Sequence, residues 1–194
     1  MSYIQTAKTN ADIVTLDDAK EFMRVTERSE DTMIQSMIDS AVEMAESFMR
    51  RDILTTTWEG YFDTFYTDLT LERAKFQTVE AIDYLVSGAY TTLAASEYTV
   101  KKGGIYGQIC EINDPGDVDD TCDAIRITFK TGWGDTAESV PSSLKLAIQN
   151  MTLYLYENRG GCSCVDDFPQ HIIQALGQYK VIPISGGADN IACL

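Results

Sequence analysis

Apolar positions recur every three or four residues towards both ends of this chain and every second residue in its middle. Leu16, Ala19, Phe22 and Met23 mark one face of a short helix over residues 16–25. Thr15 with Asp18 three residues later has the form of a capping box, and Asp17 and Asp18 stand where a helix dipole favours negative charge. Ser29, followed by Glu30 and Asp31, is the expected cap of a second helix. Its inner face runs through Met33, Ile34, Met37, Ile38, Ala41, Val42, Ala45 and Phe48 before Arg50 and Arg51 close the last turn. From Thr55 the period shortens to two. Strands are predicted at 57–63, 69–72, 79–86, 98–100, 105–112 and 124–129, with turns at Lys102-Gly103-Gly104 and Asn113-Asp114-Pro115-Gly116. Helical spacing returns at Pro141 with Leu144, Ala147, Ile148, Met151, Tyr154 and Leu155, and Gly160-Gly161 is the expected stop. Pro169 opens a shorter helix to about residue 179.

This order predicts an α+β protein: a bundle of about four helices with an antiparallel β-sandwich or barrel-like domain inserted between them. Residues 1–54 are expected to supply an extended arm and the first bundle helices, 55–138 the β domain, 139–180 the remaining helices, and 181–194 an extended tail. Packing the faces at Met37, Ile38, Ala41, Val42 and Ala45 against Leu144, Ala147, Ile148 and Met151 would satisfy both.

Composition narrows the function more than the fold. A 194-residue chain with 44% hydrophobic residues can bury a core without disulfides or metals. Thirty acidic against 15 basic side chains give a formal charge of −15, which repels phosphate backbones and argues against a dedicated nucleic-acid binder. No signal sequence opens the chain and no apolar run approaches the ~20 residues of a membrane span, so synthesis in a cytoplasm without a membrane partner is expected. Five irregularly spaced cysteines read as reduced thiols.

Catalytic chemistry has few places to reside. The single histidine, His171, leaves one candidate for any histidine-based site. Cys162 and Cys164 with His171, joined by Cys193, offer ligands for a small metal-binding or enzymatic module. Their C-x-C spacing departs from the usual zinc knuckle, and a reduced loop pair is the plainer reading. Asp114, Asp117, Asp119 and Asp120 crowd a Pro-Gly turn but lack EF-hand spacing, so a solvated acidic loop is preferred to a calcium site. Gly103-Gly104, and Gly132 with Gly134, are too sparse to cradle phosphate. No catalytic, cofactor or metal residue is assigned. The aromatic run Trp58, Tyr61, Phe62, Phe65 and Tyr66 is divided by alternation, with Trp58 and Phe62 on one face and Tyr61 and Phe65 on the other; a sandwich core explains one face and a subunit contact the opposite one.

Several segments together resemble the phage head–tail connector proteins, the adaptor or head-completion family of long-tailed phages and gene transfer agents. They are Leu16-Asp17-Asp18-Ala19-Lys20, the helix end Ala45-Glu46-Ser47-Phe48-Met49-Arg50-Arg51, Gly132-Trp133-Gly134, the proline-led start Val140-Pro141-Ser142-Ser143-Leu144, and Leu155-Tyr156-Glu157-Asn158-Arg159. The resemblance implies a non-enzymatic structural protein of the virion neck: a twelve-copy ring beneath the portal that extends the DNA channel and docks a stopper or tail-completion protein. It also implies a C-terminal segment that attaches to the portal, here Val181, Ile182, Ile184, Ile191 and Leu194. Genomic DNA would pass through the lumen without sequence-specific binding. Twelve copies at −15 would carry about −180 formal charges, which keeps passing DNA from adhering.

Overall fold

The computed structural model describes residues 2–65, 68–101, 106–110, 112–113, 115–159 and 168–181. Among them are four α-helices and two antiparallel sheets. Helix α1, Leu16–Met23, begins where expected: the Thr15 hydroxyl oxygen accepts the Asp18 N–H at 3.1 Å, and Arg24 closes the helix in the left-handed region at φ 58°. Helix α2, Asp31–Met49, ends on Arg50 in the same conformation. Its N-cap is not Ser29 but Glu30, which makes no side-chain capping bond. The reason is a competing partner, because Tyr156 and Arg159 hold the Glu30 carboxylate.

Helices α3, Ser142–Glu157, and α4, Gln170–Gly177, each follow a proline at the N-cap, Pro141 and Pro169. Helix α3 stops ahead of the two glycines, with the Asn158 N–H donating to the Tyr154 carbonyl. The predicted pairing of α2 with α3 is present. Ile34, Ile38, Ala41, Ala45 and Met49 share one core with Leu144, Ala147, Ile148 and Met151, and Ile172 and Leu176 of α4 complete it. Alanines at 41 and 45 allow close helix approach, while each buried Ile or Leu contributes about 1.5–3 kcal/mol over exposure. Met37 and Val42 are only partly buried at the rim.

Among the described residues eight strands form the β part: β1 (Ser2–Lys8), β2 (Thr56–Phe62), β3 (Asp68–Leu71), β4 (Phe76–Val86), β5 (Ala89–Thr92), β6 (Thr99–Lys101), β7 (Gly107–Cys110) and β8 (Ile125–Thr131). They pair as a five-stranded sheet in the order β1-β2-β8-β4-β5 and a three-stranded sheet in the order β3-β7-β6. The described strands thus form two antiparallel sheets, as the α+β expectation has it, and a closed barrel is not seen among them. One core lies between the sheets: Trp58, Phe62, Ile82, Ile127 and Phe129 from the larger, Leu69, Leu71 and Ile109 from the smaller. Register enforces this. Trp58 lies opposite Phe129 and Phe62 opposite Ile125, so Glu59 and Tyr61 point the other way.

The first segment, expected as an arm grouped with the bundle, is strand β1, hydrogen-bonded along β2. Tyr3 turns inwards, edge-on to Phe62 and Phe129, and its hydroxyl accepts the Glu72 N–H at 3.1 Å.

Candidate assembly surfaces

The chain leaves the bundle for the sheets at residues 53–55 and returns at 132–134, and these two crossings lie side by side. Trp133 N–H donates to the Ile53 carbonyl at 3.0 Å, Thr55 N–H to the Gly134 carbonyl at 3.0 Å, and Gly132 N–H to the Lys75 carbonyl at 2.9 Å. Gly132 sits at φ 110°, and a Cβ there would stand 2.4 Å from the Leu54 carbonyl oxygen, so no other residue fits. The Gln77 amide donates to the Thr55 hydroxyl and to the carbonyls of Thr131 and Gly132, tying both crossings to β4. The Asp52 carboxylate accepts from the Trp58 indole at 2.9 Å and from the Thr131 hydroxyl. Gly132 and Gly134 therefore serve backbone crossing rather than ligand binding.

Trp133 is the hub of this seam. Its ring meets Tyr179 edge-on at 5.8 Å, and the Tyr179 hydroxyl shares a 2.6 Å hydrogen bond with that of Ser143 at the start of α3. Two cations lie against the same indole, with Arg51 Cζ 5.2 Å and Lys75 Nζ 5.9 Å from its centroid. In the sequence Trp133 stands out only within the Gly132-Trp133-Gly134 segment of the family resemblance, Arg51 as a helix-closing residue, and Lys75 not at all. Nothing in their separation signals that residues 51, 75 and 133 meet.

Two further surfaces are pre-arranged. At the far end of the bundle Glu30 accepts from the Tyr156 hydroxyl at 2.6 Å and from Arg159 at 2.9 Å. These bonds, the tyrosine's foremost, hold its carboxyl below the usual range. Beside it a groove of about 300 Å³ runs between α2 and α3, lined by Met33, Met37, Met44 and Leu155. On the outward face of the large sheet Asp83 accepts from Arg126 at 2.9 and 3.2 Å and from the Thr92 hydroxyl at 2.6 Å, while Tyr61 donates to Glu59 at 2.7 Å. The guanidinium of Arg126 also covers the exposed Tyr90 ring at 4.4 Å. Tyrosine and arginine held rigid in this way suit a protein contact.

Of the expected portal-contact residues, Val181 is buried, and its N–H donates to the Met49 carbonyl at 2.9 Å, at the C-terminal end of α2. Lys180 beside it lies 4.2 Å from the Phe48 ring centroid. Ile182, Ile184, Ile191 and Leu194 fall outside the described residues, as do Cys162, Cys164, Gly103, Gly104 and Asp114. His171 is exposed on α4. Asp119 is committed to a turn, its carboxylate accepting the Ser87 and Gly88 N–H groups at 3.0 and 2.8 Å, while Asp117 and Asp120 are exposed. Among the described residues no His, Cys, Asp and Glu side chains gather as a metal cluster, and no helix is long and apolar enough to cross a membrane.

Comparison with known proteins points one way. Residues 13–105, nearly half the chain, match the phage gp6-like head-tail connector protein family. No curated protein matches. Among solved structures, a chain from the virion of the native gene transfer agent particle superposes with a TM-score of 0.77 at 17% identity. Chains from the neck of the empty particle, computed with C6 symmetry, and of the native particle, computed with C12 symmetry, each give 0.74 at 16%. Each likeness covers 96% of this chain and 99% of the other. These relatives are structural components rather than enzymes. Over residues 13–105 the sequence is thus similar to the phage head–tail connector family, and over nearly the whole chain the fold is that of chains from the gene transfer agent virion and its neck.

Proposed function

We propose that this protein is the structural adaptor of a phage-like virion, a homo-oligomeric ring of twelve copies beneath the portal. The ring extends the DNA channel and docks the stopper or tail-completion protein. The observation that carries this reading is the end-to-end likeness to a chain of the gene transfer agent neck, a particle region computed with C12 symmetry. The charge of −15 supports it, since a lumen lined by repeated carboxylates repels the phosphates of passing DNA. The polar, pre-arranged surfaces described above suit contacts between proteins better than a reaction.

Residues 182–194 are the portal anchor in this reading, leaving from a root fixed at Val181 on Met49. Truncation after Val181 tests it. The shortened protein is expected to melt within about 1 kcal/mol of wild type, because the bonded residue is kept, yet to lose co-sedimentation with the portal. A truncated protein that still joins DNA-filled heads would remove the anchor from the segment. Cryo-electron microscopy of the particle neck tests the ring, and any copy number or position other than twelve beneath the portal would overturn it.

A further inference from the structure

The cations of this acidic chain are unevenly matched. Lys8, Lys20, Arg126, Lys130 and Arg159 each hold a carboxylate. Arg51 and Lys75 lie against one indole, and among the described residues neither forms an ion pair. The Arg51 Nε atom is also buried with no hydrogen-bond partner. Burial pushes the guanidinium below its ordinary range, a shift the Tyr106 phenol partly opposes. A desolvated cation without a counter-charge costs stability in the isolated protein, and a cation–π contact alone does not neutralise it. An incoming carboxylate does not reach the enclosed Nε, but through the outer guanidinium nitrogens it would supply the missing counter-charge. A guanidinium fork, a second ammonium and an aromatic wall that excludes water are the elements of such a seat.

We propose that Arg51 and Lys75, walled by Trp133, form a carboxylate-binding seat whose occupant is an acidic side chain of a second copy of this chain. The assignment of the occupant rests on the ring reading above. Identical neighbours at −15 repel unless cations of one meet anions of the next, and this chain has two acids for every base. A ring closes through a head-to-tail contact between two different surfaces, so one face can offer the seat and another the acid. Exposed aspartates such as Asp117 and Asp120 lie beyond the sheet end opposite the seam, on a separate surface.

The test uses the full chain. Hexaglutamate is titrated while tryptophan fluorescence is followed, and sedimentation velocity is run across a salt series. Wild type is expected to bind the peptide saturably and to assemble less as salt rises. In the Arg51→Gln/Lys75→Gln variant both should weaken by at least about tenfold. Lys101→Gln, which alters an exposed cation on β6, should behave as wild type. Arg51→Gln alone should melt no lower than wild type, since it removes an unmatched buried donor, and a clear loss of melting temperature would show that the arginine only holds the seam together. Assembly by the double variant equal to wild type at every salt concentration overturns the proposal, as does a seat that takes duplex DNA but not hexaglutamate. A wild type that stays monomeric throughout instead defeats the ring reading, and the assignment to a second copy falls with it.

Discussion

The helical bundle and the sheets secure their interiors by different means. In the bundle the core is filled mainly by Ile, Leu, Ala and Met, and the one fully buried polar side chain among its described residues, Thr152, returns a hydrogen bond to the Ile148 carbonyl of its own helix. The sheets and their seam instead bury Thr55, Asp83 and Thr131, each with a side-chain partner in another segment, and Thr56, whose hydroxyl donates to the Leu54 carbonyl. The bundle therefore depends on volume and the seam on satisfied polar groups. Substitutions that change shape should hurt the first, and substitutions that change hydrogen bonding or backbone freedom should hurt the second.

The largest effect is expected at Ile148→Asp. An unpaired carboxylate at a fully buried site between α2 and α3 costs about 4 kcal/mol or more, enough to remove cooperative melting followed by circular dichroism. A soluble variant melting as wild type would mean the bundle is not held by packing. Next, Gly132→Ala tests the seam without touching a polar group. Left-handed backbone strain plus the clash with the Leu54 carbonyl should lower stability by about 3 kcal/mol in urea titration. Asp83→Asn should cost less, about 1–2 kcal/mol, because Arg126 is still 31% exposed and regains water.

The smallest effect belongs to Glu30. Its folded pKa is depressed by Tyr156 and Arg159, so its contribution is present above the ordinary value of 4.5 and lost as pH falls through the lower folded value. Melting temperatures of wild type and Glu30→Gln should differ most near neutral pH and converge in acid. A gap that holds constant with pH would show that the glutamate acts by shape alone.

The same contrast explains what the sequence made legible. Three- and four-residue spacing located α2 and α3, and alternation separated Trp58 and Phe62 from Tyr61, because in both cases one face is buried. Strand β5 escaped notice since all four of its residues are exposed, and β1 because Ser, Gln and Thr blur its alternation. Ser29 met the local rule for a cap, but Glu30 took the position under a contact with α3 more than 120 residues away, which no local rule contains. The two cations on Trp133 were invisible for the same reason: the topology brings them there from just past the end of α2 and from the loop between β3 and β4.

The side-by-side crossings at Ile53 and Trp133 also bear on the order in which this chain folds. Helices α2 and α3 must find each other across the 92 residues from 50 to 141, and closing so long a loop costs about 4 kcal/mol of chain entropy from its length alone. Once β2 and β8 pair, most of that loop is already closed and the crossings at Ile53 and Trp133, which lead to the two helices, are delivered a hydrogen bond apart. Amide protection in pulsed hydrogen exchange should accordingly appear in β2 and β8 before α2 and α3, and simultaneous protection would exclude the sequence. The inserted sheets then act as a template that converts a distant encounter between the helix pairs into a local one.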